Sequence, residues 1–137
     1  MPGKLKLYIV TPEQVKLDGE ADMVIMRCIT GDMGVLPGHA PCSAILDYGV
    51  MRILNGPAER RLAVYGGIAQ IHNDFLSIIA NGARWPEEID RARAERDRAL
   101  AEEKLRQQKS MQEYHIARSM LARAMTRLRV TGRSEAP

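Results

Sequence analysis

The segment from Gly31 to Pro41 constrains the fold of this chain more than any other. Its sequence is Gly-Asp-Met-Gly-Val-Leu-Pro-Gly-His-Ala-Pro, with three glycines and two prolines in eleven residues. Glycine supplies the positive φ that tight turns need, and proline fixes φ and cannot donate to a sheet ladder. Pro37-Gly38 fits the central positions of a type II turn. We therefore predict a rigid loop, for which a corner of a β-sandwich is the simplest explanation.

Length and composition limit the class of protein. The chain has 137 residues, 45% hydrophobic and 4% aromatic, which suffices for a core but disfavours a nucleic-acid-binding protein that stacks bases. Apolar runs fall below the roughly 18 residues of a membrane span. The alternation over residues 4–7 favours a strand over a secretory signal. Cys28 and Cys42 lack metal-ligand spacing, so we expect buried, reduced thiols of a cytoplasmic protein.

The first part of the chain has a β pattern. Apolar residues alternate from Leu5 to Val10, and Asp18-Gly19 has the sequence of a hairpin turn. Short strands with a turn about every 8–12 residues are typical of an antiparallel sandwich or barrel. The expected strands are residues 5–10, 14–17, 21–29, 43–47, 49–54, 61–65, 68–71 and 75–80, with breaks at Gly66-Gly67 and at His72-Asn73-Asp74.

The pattern changes at Trp85-Pro86, where a helical region is predicted to begin. The proline suits the first position of a helix, and the residues from there to Lys109 are strong helix formers without glycine or proline. Ser110 to Glu113 has the spacing of a capping box, which predicts a second helix that ends at Gly132. The chain is therefore predicted to have two domains, at residues 1–84 and 85–137.

Charge is distributed unequally between these two domains. The first holds eight Lys/Arg and eight Asp/Glu, whereas the second holds twelve against nine. From Tyr114 to Ser134 there are five arginines and no acidic residue. A solvated basic tail is the simplest explanation, and an acidic partner surface is the alternative.

The two predicted helices differ in apolar surface. The second has one apolar stripe at helical spacing, flanked by Arg118 and Arg129, with Arg123 and Arg127 on nearly the opposite face. The first has mostly alanines, divided between two sides. Small side chains bury little area, at roughly 25 cal/mol per Å². The hairpin is therefore predicted to be weakly docked and able to open.

Motifs of common enzyme classes are absent from the sequence. It contains no GxxxxGK[ST] loop, no GxSxG elbow and no HExxH or CxxC, and its three histidines are dispersed. His39 is more simply explained as a hydrogen-bonded loop residue than as a catalyst. We predict no catalytic residue and no metal site.

The order of these parts resembles the bacterial F-type ATP synthase epsilon subunit. The resemblance extends over residues 4–130 and is carried by the Leu-Pro-Gly-His-Ala-Pro loop, Gly66-Gly67 and the Ala/Arg/Glu hairpin. It implies a ten-stranded antiparallel β-sandwich followed by two helices. It also implies a non-catalytic central-stalk (rotor) subunit that couples ion-driven rotation to ATP synthesis, with helices that inhibit ATP hydrolysis.

The resemblance also implies partners. The β-sandwich would bind the gamma subunit and the c-ring, and the helices would meet the catalytic alpha and beta subunits. Membrane association would occur only through the complex, peripherally, at the cytoplasmic face of the cell membrane. The c-ring contact maps onto a predicted turn, Gly31-Asp32-Met33-Gly34, where Asp32 has a usually acidic position. The alternative is that Asp32 only stabilises its own turn.

Some members of the family bind ATP between the helices as a regulatory ligand, although no cofactor is required. Asp90 would accept from the adenine amino group, and guanidiniums would neutralise the phosphates. The candidate residues that match the family pattern are Ile89, Asp90, Arg93, Ala94, Arg123 and Arg127.

Two positions depart from the nucleotide-binding members of the family. Arg84 stands where they have an acid, and Leu100 stands where they have a basic residue. The simpler explanation of the motif is an i,i+3 pair between Asp90 and Arg93 on a solvated helix.

A competing use of the second helix is inhibitory. An opened helix would insert between gamma and an acidic surface of the beta subunits, through Arg118, Arg123, Arg127 and Arg129. Because Arg123 and Arg127 cannot hold ATP and that surface at once, ATP would favour the closed hairpin. The alternative class is a free-standing β-sandwich binding module with a basic helical tail, which the few aromatics and modest charge disfavour.

Overall fold

A computed structural model describes residues 3–107 and 111–132. The chain divides into two compact units between Arg84 and Trp85. The strands are β1 (Leu5–Val10), β2 (Val15–Ala21), β3 (Met23–Cys28), β4 (Gly31–Val35), β5 (Cys42–Asn55), β6 (Ala58–His72), β7 (Phe75–Ala80) and β8 (Ala83–Arg84). The helices are α1 (Arg91–Gln107) and α2 (Met111–Thr131), preceded by a 3-10 turn at Pro86–Glu88.

The first unit is the predicted β-sandwich. Its strands follow the order β2-β1-β7-β6-β5-β3-β4, with β8 paired to β6. β1 and β7 are parallel, and the other pairs are antiparallel. Alternate residues of the strands point inward. The largest fully buried side chains of this unit are those of Leu5, Leu7, Ile9, Val24, Met26, Val35, Met51, Leu62, Leu76 and Ile78.

The described residues contain eight strands, so the expectation of ten is wrong. β5 and β6 have 14 and 15 residues and continue through the places where breaks were predicted. At Gly66-Gly67, with φ of 86° and 144°, β6 bends and changes partner from β8 to β7. The glycines therefore redirect a strand instead of ending it. Counting β5 and β6 as two strands each would give ten.

The predicted hairpin turn at Asp18-Gly19 is also wrong, because both residues lie within β2. The chain reverses earlier, where the Thr11 hydroxyl accepts from the backbone N–H groups of Glu13 and Gln14, each at 3.3 Å. β2 is an edge strand, where a glycine costs little pairing.

The predicted turn at Pro37-Gly38 is confirmed. Gly38 has φ of 90°, and the N–H of His39 donates to the carbonyl of Leu36 at 3.1 Å, as a type II turn requires. The N–H of Gly38 also donates to Oδ1 of Asp74 at 2.7 Å. The loop is therefore tied to the turn between β6 and β7.

Asp22 joins three segments at one end of the sandwich. Its Oδ2 accepts from the N–H of Gly56 at 2.6 Å, and its Oδ1 lies 3.0 Å from Nζ of Lys4. Lys4 also donates to Oδ1 of Asn55 at 2.9 Å. The Gly56 hydrogen bond and the Lys4 ammonium lower the pKa of Asp22 below its ordinary value of 3.8.

This carboxylate predicts an acid-sensitive fold. Because the pKa of Asp22 is lower in the folded state than in the unfolded state, its carboxylate stabilises the fold fully at pH values above the unfolded-state pKa. This contribution is lost as the pH falls through the folded-state pKa. We expect the free energy of unfolding to fall between about pH 5 and pH 2 less steeply in Asp22→Asn than in the wild type. Urea unfolding at several pH values measures this, and parallel curves would contradict it.

The cysteines are both free thiols. Cys28 is buried, which raises the pKa of its thiol. Cys42 is only half-buried, so the expectation that both are buried is wrong for Cys42.

The helical unit begins later than predicted. Trp85 donates its backbone N–H to Oε1 of Glu88 at 2.7 Å around the 3-10 turn, and the chain is extended at Ile89. Asp90 caps α1, because its Oδ1 accepts from the N–H of Arg93 at 3.2 Å. The helix therefore starts at Arg91 and not at Pro86.

The second helix ends as predicted, where the N–H of Gly132 donates to the carbonyl of Leu128 at 2.8 Å. Ser110, the first residue of the predicted capping box, lies outside the described residues.

Small side chains dominate the buried positions of the two helices. Ala94 and Ala101 of α1 are buried, whereas Leu100 on another side of α1 is 48% exposed. On α2, three residues of the predicted stripe are buried, namely Ala117, Ala124 and Leu128, and Thr126 and Val130 are buried outside it, so the stripe is confirmed only in part. Over the described part of the chain, neither helix is long and apolar enough to cross a membrane.

Candidate functional site

The two helices are antiparallel and joined at their open end by Arg91. Its Nη1 donates to the hydroxyl of Thr131 at 2.9 Å and to the carbonyl of Leu128 at 3.4 Å. The first turn of α1 therefore lies beside the last turn of α2. A guanidinium is favourable there, because the carboxyl end of a helix carries partial negative charge.

A second polar contact joins the helices further along. Nη1 of Arg127 lies 3.6 Å from Oδ2 of Asp97, and the two side chains are 27% and 31% exposed. Arg127 therefore borders α1, and its predicted position on the opposite face of α2 is wrong. Arg127 directly precedes the buried Leu128, and successive residues of a helix are only about 100° apart, so Arg127 flanks the apolar stripe.

The structure brings the candidate ATP residues to neighbouring segments. Asp90, Arg93 and Asp97 share a face of α1 at spacings of three and four, and Arg123 and Arg127 share a face of α2. Arg123 is half-buried and Arg93 is exposed. Both helix faces meet where Asp97 contacts Arg127. ATP binding by this set stays a prediction.

The remaining members of that set have other surroundings. Ile89 is half-buried in the extended link, and Ala94 is fully buried. The contact between Asp90 and Arg93 is a helix cap, which replaces the side-chain pair considered above. One oxygen of this exposed carboxylate makes the cap, which leaves a second oxygen as an acceptor.

The candidate inhibitory arginines are spread along α2. Arg118 and Arg129 are exposed, whereas Arg123 and Arg127 are half-buried. The guanidinium of Arg118 lies 5.9 Å from the ring centroid of Tyr114, one turn earlier. Such a stacked guanidinium is partly ordered but keeps its charge at the surface.

The candidate c-ring segment is not a turn. Gly31, Asp32, Met33 and Gly34 begin the edge strand β4, and the reversal lies at Ile29-Thr30. Gly31, with φ of 120°, closes the hairpin opposite Cys28, so the glycine follows the turn instead of forming it. Asp32 lies opposite Arg27, with its Oδ1 3.4 Å from Nη1, and its side chain is 64% exposed.

An exposed apolar band crosses the outer face of the sandwich. Ile45, Ile68 and Ile79 are direct neighbours on β5, β6 and β7, and Ile29 donates its N–H to the carbonyl of Ile45 at 3.1 Å. These four side chains, which we call the isoleucine band, are 50–61% exposed. Contiguous apolar patches of this kind on a soluble surface mark binding sites.

The sequence contained signals for the band and for Asp97 that were missed. Ile45-Leu46 and Ile78-Ile79 are apolar at successive positions, which breaks the alternation of a half-buried strand and exposes one residue of each pair. Asp97 has helical spacing from Asp90 and Arg93. In the described residues no group of three or more His, Cys, Asp or Glu is arranged to hold a metal.

Both units match one protein family. Residues 4–86 match the family described as ATP synthase, Delta/Epsilon chain, beta-sandwich domain, and residues 87–132 match ATP synthase, Delta/Epsilon chain, long alpha-helix domain. These matches cover most of the chain, which therefore belongs to the ATP synthase delta/epsilon chain family.

Individual relatives narrow this class to bacterial epsilon chains. The chain is 37% identical over 131 residues to the ATP synthase epsilon chain of Alkaliphilus metalliredigens, covering 96% of this chain and 98% of the relative. It is 39% identical over 125 residues to the sodium ion specific ATP synthase epsilon chain of Propionigenium modestum, covering 91% of each. The predicted resemblance to bacterial epsilon subunits is confirmed.

A solved structure shows the same fold. A chain in the cryo-EM structure of the Euglena gracilis mitochondrial ATP synthase (OSCP/F1/c-ring, rotational state 1) has a TM-score of 0.82 at 20% identity. The similarity covers 92% of this chain and 80% of that chain.

Proposed function

We propose that the chain is the epsilon-type rotor subunit of a bacterial F-type ATP synthase, which couples ion-driven rotation to ATP synthesis and restrains ATP hydrolysis. The observation that carries this proposal is the match of both units, in order, to one family over residues 4–132. The relatives from Alkaliphilus metalliredigens and Propionigenium modestum match over more than nine tenths of their own length. A free-standing binding module is not favoured, because it would leave the helical match unexplained.

The proposed subunit has no catalytic residue and requires no cofactor of its own. Its distinctive side chains are exposed isoleucines and arginines, which suit binding rather than proton transfer or nucleophilic attack. It would reside peripherally at the cytoplasmic face of the cell membrane, held there by the other subunits.

The sandwich supplies two surfaces for rotor partners. The isoleucine band is the proposed contact for gamma, because it is apolar, continuous across neighbouring strands and held on a rigid sheet. The segment Gly31–Gly34 is the proposed contact for the c-ring. There Asp32 presents an exposed carboxylate on an edge strand, and its surface pair with Arg27 is weak enough to exchange for polar partners.

The helices supply the regulatory part. In the closed hairpin, Asp90, Arg93, Arg123 and Arg127 would bind ATP, and Ile89 and Ala94 would line the apolar side of the site. In the open form, Arg118, Arg123, Arg127 and Arg129 would meet an acidic surface of the catalytic subunits. Such charge pairs fix register across an interface.

We expect Arg123→Ala/Arg127→Ala to relieve inhibition. The assembled catalytic complex should hydrolyse ATP at least about threefold faster at low ATP with this variant than with the wild-type chain, because two charge contacts to the catalytic subunits are lost. The assay is steady-state hydrolysis by the reconstituted complex, with binding of the variant verified.

The matched control is Arg98→Ala/Arg106→Ala. It removes two arginines whose partners, Glu102 and Glu103, lie on α1 itself. Hydrolysis should then remain at the wild-type rate. Equal rates with the wild type and the α2 variant would refute the inhibitory contact.

A further inference from the structure

A carboxylate already lies inside the arginine cluster of the hairpin. Asp97 is 3.6 Å from Arg127, and both side chains are less than one third exposed. Asp97 also follows Arg93 by four residues, on the face of α1 that begins at Asp90. The helix segments that would hold a nucleotide therefore already contain a negatively charged group, the carboxylate of Asp97.

Carboxylates and phosphates are alternative partners for the same guanidinium. Both accept charge-assisted hydrogen bonds from its N–H groups. A phosphate that approaches Arg127 would meet the positive guanidinium and the negative Asp97 together, and the repulsion between the anions is strong in a partly buried setting. Binding would require Arg127 to exchange one anion for the other.

The same contact closes the hairpin without any ligand. Asp97 and Arg127 join the helices between about one and two turns from the open end, where Arg91 bonds to Thr131 and Leu128. The buried positions of α1 are alanines, which contribute little apolar area. Polar contacts between the helices therefore add to the closure that this small apolar area supplies.

We propose that Asp97 is an internal competitor for the phosphate site of the hairpin. Its carboxylate holds Arg127 and keeps the helices together when no nucleotide is bound, and a phosphate-bearing ligand must displace it. The competition rests on the ATP site proposed above, whereas the closing role of Asp97 stands on the observed contact. Asp97 thereby raises the ATP concentration that is needed for a phosphate to replace its carboxylate at Arg127.

The test uses the full-length chain with Asp97→Asn, which removes the charge and keeps the shape. The matched control is Glu102→Gln, which removes the same charge from α1, where Glu102 pairs with Arg98 of the same helix at 3.4 Å. Without nucleotide, hydrogen exchange reports the opening of α1 and α2. With ATP, Trp85 fluorescence and calorimetry report binding, and Arg123→Ala/Arg127→Ala defines the background.

In Asp97→Asn, the backbone amide hydrogens of α1 and α2 should exchange about threefold faster than in the wild type when ATP is absent. This variant should also bind ATP about tenfold more tightly than the wild type, because the anion repulsion is gone. Glu102→Gln should match the wild type in both measurements.

Unchanged exchange in Asp97→Asn would overturn the closing role. Equal ATP affinity in Asp97→Asn and the wild type would overturn the competition, as would an equal gain in Glu102→Gln. Absence of ATP binding in every variant would overturn the nucleotide site itself, and faster exchange in Asp97→Asn would then still support the closing contact.

Discussion

Replacing Ile68 with aspartate should weaken binding of the gamma subunit on the order of 30-fold or more, with little loss of stability. Ile68 lies between Ile45 and Ile79 in the isoleucine band and is 50% exposed in the free chain. In the free chain the new carboxylate stays in water, whereas at an apolar interface it loses its hydration without gaining a partner. Calorimetric titration of gamma measures the effect, and thermal unfolding of the variant verifies its fold.

The control for this variant is Gln70→Asp. Gln70 is exposed on the same strand and the same face, two residues from Ile68, between Ser43 and Ser77. Its gamma affinity should stay within about threefold of the wild type, because a rim charge contributes little to affinity. If the Ile68→Asp variant bound gamma with wild-type affinity, the isoleucine band would not be the contact for gamma.

Gly67→Ala should destabilise the sandwich by about 3 kcal/mol or more. Gly67 has φ of 144°, which is strained for any residue with a side chain. An added Cβ would also overlap the carbonyl oxygen of Ile79 and would lie 2.8 Å from Cα of Ala80. These are backbone atoms of the neighbouring strand, so relief requires β6 and β7 to separate. The midpoint of urea unfolding measures the loss.

Gly19→Ala is the comparison for Gly67→Ala. Gly19 lies in the edge strand β2. The nearest atom to an added Cβ would be Cδ1 of Leu17 at 3.7 Å, which is an ordinary van der Waals distance. Its unfolding free energy should change by less than about 1 kcal/mol. Similar losses in the two variants would show that Gly67 has no special backbone role.

The sequence was sufficient for both helices and for most of the strands in their order, but Gly31–Val35, which was predicted to be part of a loop, forms β4. Alternation predicted the strands, and the turn at Pro37-Gly38 followed from the φ preferences of its two residues. The continuity of β5 and β6 was not predictable from local signals, because Gly66-Gly67 has the composition of a turn whether a strand ends there or bends. What decides between these outcomes is pairing with β7 and β8, which are distant in sequence.

The candidate site was only partly predictable. The family pattern predicted Asp90 and Arg127 as candidate ATP-binding residues. It did not predict the cap at Asp90 or the pairing of Arg127 with Asp97, because these depend on where α1 begins and on how the helices face each other. The isoleucine band required the lateral register of three strands. Long-range register of this kind is weakly encoded in any one segment.

The bond from Arg91 to Leu128 and Thr131 makes the start of α1 dependent on the last turn of α2. The partners of Arg91 are a carbonyl at Leu128 and a hydroxyl at Thr131, about 40 residues further along the chain. During synthesis, α1 therefore emerges long before the hydroxyl of Thr131, which holds the first turn of α1 beside α2, exists. A chain that ended at Leu128 would keep every residue of α1 but would lose the Thr131 hydroxyl, the nearer of the two partners of Arg91, so this part of the closure of the hairpin forms only after the end of α2 has been synthesised.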